Sequence, residues 1–120
     1  MDNNYTINML KEIIGKFCDD RDWSQFHNPK DLAIGISTEA GELLDLFRFK
    51  NEEQMNRIIN GKKREQVADE LADVLYFVIR FAQMNNIDLT TELKRKVALN
   101  ELKYPIEKAK GKNDKYKDLK

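Results

Sequence analysis

The chain is 120 residues long, with 21 basic and 21 acidic side chains and a formal net charge of zero. That length suits one domain with one core, and the balanced charge supplies no global pull toward nucleic acid or an anionic membrane surface. A single cysteine and a single histidine exclude an intrachain disulfide and zinc chemistry built on Cys and His.

No basic start followed by an apolar run opens the sequence, and the longest apolar run, residues 74–79, is far too short to span a bilayer. A soluble, cytoplasmic protein is therefore expected. With two prolines, five glycines and no alternating apolar–polar stretch, the pattern is helical nearly throughout. A first helix is predicted over residues 6–20, with Ile7, Leu10, Ile14, Phe17 and Cys18 on one stripe. The polar, aromatic connector DDRDWSQFHNPK follows. Asn28 and Pro29 read as an N-cap and a first-turn proline, which start a second helix running to about residue 50. Residues 51–62 suggest a short helix closed by Gly61. A long helix is predicted over residues 63–86, with Val67, Leu71, Val74, Val78 and Phe81 along its face. After the turn NNIDLT, a last helix starts near Thr90 or Thr91. It must stop by Tyr104, because Pro105 disfavours the helical conformation in the residue before it.

From Lys108 onward the chain is rich in lysine and lacks a core-forming pattern. Residues 1–111 are read as one domain and 112–120 as a mobile tail. Four long helices with short connections point to an all-α, four-helix-bundle-type protomer. The helix over residues 63–86 is apolar across about 200° of its circumference. Covering so wide an arc in a small domain calls for a subunit interface, so a homo-oligomer is expected.

Two helices carry acid where apolar residues belong. On a helical wheel Glu39 falls between Leu46 and Leu32, within the arc of Ile36, Leu43 and Phe47, and Glu42 sits at its edge. Glu70 lies between Phe77 and Phe81, again with an acid, Asp73, three residues on at the edge. Side chains three apart are neighbours on a helix, so antiparallel packing of the two helices brings four carboxylates together. That much negative charge requires protonation, an Arg or Lys partner, or a divalent cation. Oxygen ligands without histidine favour Mg²⁺ or Mn²⁺ over zinc or iron, and magnesium commonly brings substrate phosphates with it. Ferritin-like di-iron sites need Glu-x-x-His on two helices, whereas His27 is alone and lies in the connector. Helix spacing by itself leads to an acidic, metal-binding bundle, with a solvated acidic face as the alternative.

The pairs Glu39/Glu42 and Glu70/Asp73 make the sequence resemble the all-α nucleoside triphosphate pyrophosphohydrolases of the MazG-like superfamily. RDWSQFHNPKDLAIGISTEAGELLDLFRFK and KVALNELKYPIEKAKG are similar to its dCTP pyrophosphatase branch, and the match covers residues 7–111. The resemblance implies Mg²⁺-dependent cleavage between the α- and β-phosphates, giving a nucleoside monophosphate and pyrophosphate. It implies an oligomer, typically a tetramer, with sites built across subunit contacts. Glu39, Glu42, Glu70 and Asp73 become the metal ligands and catalytic centre by this resemblance. Trp23 to His27, Phe49 and Phe77 match positions lining the nucleobase pocket, and Asn100, Lys103 and Tyr104 match positions that hold phosphates.

Phe49 stands where mammalian relatives have Trp, and Phe77 where they have Tyr. Losing those two hydrogen-bond donors leaves dUTP, or a broader range of nucleoside triphosphates, as alternatives to dCTP. From another class, the alternative is a helical oligomerisation or binding module without activity; the presence of all four acids argues against it. No nucleic-acid or membrane partner is expected, since the net charge is zero and the basic tail lacks interleaved aromatics.

Overall fold

Four of the helices of the molecule, seen in a computed structural model describing residues 1–120, begin where a short polar side chain satisfies free backbone N–H groups. Thr6 Oγ1 accepts from the Met9 amide at 3.1 Å and opens α1, Ile7–Asp19. Asn28 Oδ1 accepts from the Asp31 amide at 2.8 Å, Pro29 takes the first helical position, and α2 runs Pro29–Phe47. Asn51 and Gln54 cap each other reciprocally at 2.8 and 2.9 Å to open α3, Glu52–Asn60, which ends at Gly61. The long helix α4 is Arg64–Met84. Asp88 Oδ1 accepts from the Thr91 amide at 3.0 Å and opens α5, Leu89–Lys103; a short α6, Ile106–Ala109, follows Pro105. There is no strand, so the all-α expectation holds. No helix is long and apolar enough to cross a membrane.

The second helix ends at Phe47 rather than near residue 50. Arg48 already leaves the helical backbone at ψ 130, Phe49 follows in left-handed backbone at φ 62, and the Lys50 amide donates to the Phe47 carbonyl at 3.0 Å. The last helix starts at Leu89, just before the two threonines, because Asp88 rather than a threonine is its cap.

Two units share the four long helices. In the first, Met1–Asn86, α2 and α4 are the main packing pair, and α1 and α3 both lie against α4. Its fully buried apolar residues are few: Cys18, Leu32, Ile58, Ile79 and Ala82. The second unit, Ile87–Lys120, carries α5, α6 and a 3₁₀ turn at Tyr116–Asp118. Within it the Tyr104 and Tyr116 rings meet edge-on at 6.3 Å, with the Lys103 ammonium 4.9 Å from the Tyr116 centroid.

One glycine sets the closeness of α2 and α4. A Cβ at Gly35 would stand 2.6 Å from the Phe77 ring, so the ring lies directly on the α2 backbone. Gly35→Ala is expected to lower stability by about 1–2 kcal/mol, overpacking outweighing the better helix propensity of alanine. Thermal denaturation checks this; an unchanged or higher midpoint would mean that Phe77 swings aside at no cost.

Candidate functional site

The packing of α2 on α4 brings the two intruding acids face to face. Ligand atoms of Glu39, Glu70 and Asp73 all lie within 4.8 Å of one another. Glu39 and Glu70 each keep one carboxylate oxygen, Oε2, buried and without a hydrogen-bond partner. None of the acids pairs with Lys or Arg; the ion pairs of the chain all lie elsewhere on its surface. Burial, with the Glu39 and Glu42 carboxyls beside it, pushes the Glu70 carboxyl up to about 7. Glu39 is raised as well, by burial first and then by the neighbouring Glu42 and Asp73 charges. Glu42, on the exposed side, stands outside the tight trio yet close enough to contribute to both shifts.

Of the three ways to compensate such charge, an Arg or Lys partner is ruled out by these contacts. Buried, unpartnered carboxylate oxygens in a trio without nitrogen or sulfur ligands fit a hard divalent cation. Glu39, Glu70 and Asp73 would hold it, with Glu42 on the next turn.

The raised carboxyl has a stability consequence. Between the ordinary 4.5 and about 7, the metal-free folded protein keeps a proton on Glu70 that the unfolded chain has released. Stability therefore falls as pH rises through that window. The Glu70→Gln variant lacks this loss, so its advantage in melting temperature over the wild type in EDTA is expected to widen from pH 5 to pH 7.5. Differential scanning calorimetry at the two pH values checks it; a constant gap would place Glu70 at its ordinary value.

A cavity of about 480 Å³ adjoins the acids. Glu39 and Asp73 line it together with Phe17, Trp23, Ala72, Tyr76 and Phe77. Its aromatic wall is a chain of edge-on contacts: Trp23 to Phe17 at 5.5 Å, Phe17 to Tyr76 at 6.2 Å, and Tyr76 to Phe77 at 5.0 Å. The Tyr76 hydroxyl is engaged by the Cys18 thiol at 3.3 Å, and burial with that contact pushes its pKa up to about 12, so it stays a neutral phenol. Such flat, rigid faces beside a candidate cation site suit a planar group carrying negative charge.

The expected site residues fall into three places. Trp23 and Phe77 line the cavity with two of the acids. His27, half-buried, meets the Trp23 ring edge-on at 6.5 Å and accepts from Arg80 Nε at 2.9 Å through Nδ1. Phe49 does not line it: its side chain is 90 % exposed, with the Arg48 guanidinium 4.8 Å from the ring centroid. Asn100, Lys103 and Tyr104 belong to the second unit, where the Asn100 carbonyl accepts from the Tyr104 amide at 2.8 Å.

Phe17, Tyr76 and Arg80 are part of the arrangement and were not among the expected residues. Phe17 reads from sequence as core stripe. Tyr76 follows Asp73 by three and so shares its face, a signal available in the spacing. Arg80 interrupts an apolar run as the glutamates do.

Known proteins resemble this chain in sequence and in fold. The MazG-like family profile matches residues 34–119. Over 115 residues the chain is 31 % identical to dCTP pyrophosphatase 1 of Rattus norvegicus, covering 95 % of this chain and 68 % of that protein. The Homo sapiens dCTP pyrophosphatase 1 is 30 % identical over the same coverage. The crystal structure of a pyrophosphatase from Archaeoglobus fulgidus superposes with a TM-score of 0.79 at 32 % identity, over 85 % of this chain and 94 % of that one.

Proposed function

The chain belongs to the MazG-like family, and from that premise we propose that it hydrolyses nucleoside triphosphates of the dCTP type to the monophosphate and pyrophosphate with Mg²⁺. The observation that carries this reading is the pair of buried, partnerless oxygens on Glu39 and Glu70 beside Asp73, on residues that also line an aromatic cavity. A bound Mg²⁺ or Mn²⁺ supplies neutralisation of polyphosphate charge and lowers the pKa of water. The chain's own part is to hold that cation with Glu39, Glu70, Asp73 and Glu42, and to present Trp23 and Phe77 as faces for a base. Asn100, Lys103 and Tyr104 are proposed as phosphate donors on their chemistry: an amide, an ammonium and a phenol.

Phenyl rings at 49 and 77 cannot read the edge of a base by hydrogen bonding. Discrimination between dCTP and dUTP is therefore left to the remaining polar groups. The test is pyrophosphate release from a panel of the dNTPs, dUTP, the ribonucleotides and 5-modified cytosine forms, with and without Mg²⁺. dCTP or a modified form turning over fastest supports the proposal; fastest turnover of dUTP or a purine moves it to another base. No pyrophosphate from any of them, with no Mg²⁺ binding, favours a binding module instead.

A homo-oligomer, a tetramer by resemblance, belongs to the same proposal. Leu71 and Leu75 on α4 are 57 % and 47 % exposed, and they line an apolar groove with Ala68, Val74 and Val78. A second copy of this chain is the expected cover. The double change Leu71→Glu and Leu75→Glu is expected to reduce the assembly to monomers in light scattering; an unaltered mass would place the interface elsewhere.

A further inference from the structure

Arg80 is 3 % exposed and is the one charged side chain buried in this protein. A guanidinium does not give up its proton in proteins, and burying one without a carboxylate is expensive. No Asp or Glu comes within ion-pairing distance of it. It donates instead to three neutral groups: Nε to His27 Nδ1 at 2.9 Å, Nη2 to Ser24 Oγ at 3.0 Å, and Nη1 to Gln83 Oε1 at 2.7 Å. The far ends of two of these are fixed in turn. Gln83 Nε2 donates to the Lys11 carbonyl of α1 at 2.9 Å, and Ser24 Oγ donates to Asp19 Oδ1 at 3.2 Å.

Two of the three acceptors bracket the 3₁₀ turn Ser24–Phe26 of the connector: Ser24 opens it and His27 closes it. One side chain from α4 thereby holds both ends of the turn. Trp23 immediately precedes it, lines the cavity, and packs edge-on against Phe17 on one side and His27 on the other.

We propose that Arg80 is a positioning residue for the substrate pocket: it clamps Ser24 and His27 so that Trp23 is presented to the cavity in one pose and His27 is held as the neutral tautomer with its proton on Nε2. The geometry requires the tautomer, because arginine Nε–H only donates and the ring nitrogen that meets it must be bare. The other ring nitrogen then carries the hydrogen and is a donor. Burial, and then the adjacent Arg80 charge, hold the imidazole below its ordinary value, in agreement with a neutral ring. Around His27 the facing groups are Arg80 from α4 and the Trp23 ring from the connector, with Asp19 acting only through Ser24. What the cavity binds is taken from the function proposed above; the clamp itself is not.

The chain contains one histidine and one tryptophan, so each reports alone. In ¹⁵N-labelled full-length protein, the His27 nitrogen shifts are expected to show a bare Nδ1 and a protonated Nε2. Arg80→Met removes the donors at similar volume. It is expected to give averaged tautomers, raise the imidazole pKa toward about 6.5, and expose Trp23 to acrylamide quenching. KM for the preferred triphosphate is expected to rise about tenfold with kcat held within about threefold. Arg80→Lys, keeping one donor and the charge, is expected to recover part of the KM and of the tautomer.

A proton on His27 Nδ1 in the wild type overturns the proposal without any variant, which settles the matter should Arg80→Met not fold. Folded Arg80→Met with both reporters unmoved, or with both moved and KM unchanged, overturns it too. If the wild type processes no triphosphate, the proposed function fails, while the tautomer and quenching measurements still decide the clamp.

Discussion

Glu70→Gln is expected to cut pyrophosphate release by a factor on the order of 10³ or more while the protein stays folded. The change keeps the shape of the side chain and removes its charge. In the metal-free protein that charge has no counterpart: the Glu70 Oε2 atom is buried without a partner and the carboxyl is pushed up to about 7 by burial and by Glu39 and Glu42. On the proposed function, glutamine therefore removes a repulsion from the apoprotein and would remove a ligand from the loaded one. Opposite signs in the two readouts are what distinguish a cation site from an ordinary buried acid. Melting temperature in EDTA at pH 7.5 rises, the increase produced by millimolar Mg²⁺ shrinks, and turnover collapses. A folded Glu70→Gln protein with wild-type turnover would remove this carboxylate from the machinery.

Trp23→Ala is expected to lower kcat/KM by about 10- to 100-fold, the equivalent of the ~1–3 kcal/mol that one base–aromatic stack supplies. On the proposed function the effect belongs mainly in KM, since the indole would meet the base and not the reacting phosphates. Mg²⁺ binding by calorimetry should be unchanged, because Trp23 is no ligand. Trp23→Phe should retain most of the affinity, a flat face being what the position supplies. Steady-state kinetics on the three proteins decide it; an unchanged KM in the alanine variant would reduce Trp23 to a packing residue between Phe17 and His27.

These two variants differ in how visible their residues are from sequence. Glu39 and Glu70 announce themselves as acid inside an apolar arc, a signal contained in helical periodicity alone. Trp23 lies in an irregular connector, where periodicity says nothing, and only resemblance to a family singles it out. Arg80 carries the same kind of signal as the glutamates, a charge within an apolar run. Yet its partners His27 and Ser24 lie 53 and 56 residues away along the chain, and no local pattern names them. Phe49 shows the reverse case. The family resemblance gives it a base contact, while in this chain its ring is 90 % exposed on the turn that follows α2.

The helices, the cap at Asn28 and the two intruding acid pairs were determined by the sequence itself, because capping and helical period act over a few residues, and resemblance of its motifs gave the family. Only the tertiary structure decided that Glu39, Glu70 and Asp73 meet within 4.8 Å while Glu42 stands aside, that Phe17 and Tyr76 complete the aromatic wall, and that a buried arginine holds the connector. Those outcomes depend on how closely two helices approach. Here the approach is set by a missing Cβ at Gly35 against the Phe77 ring, distant along the chain and adjacent only once α2 and α4 have packed.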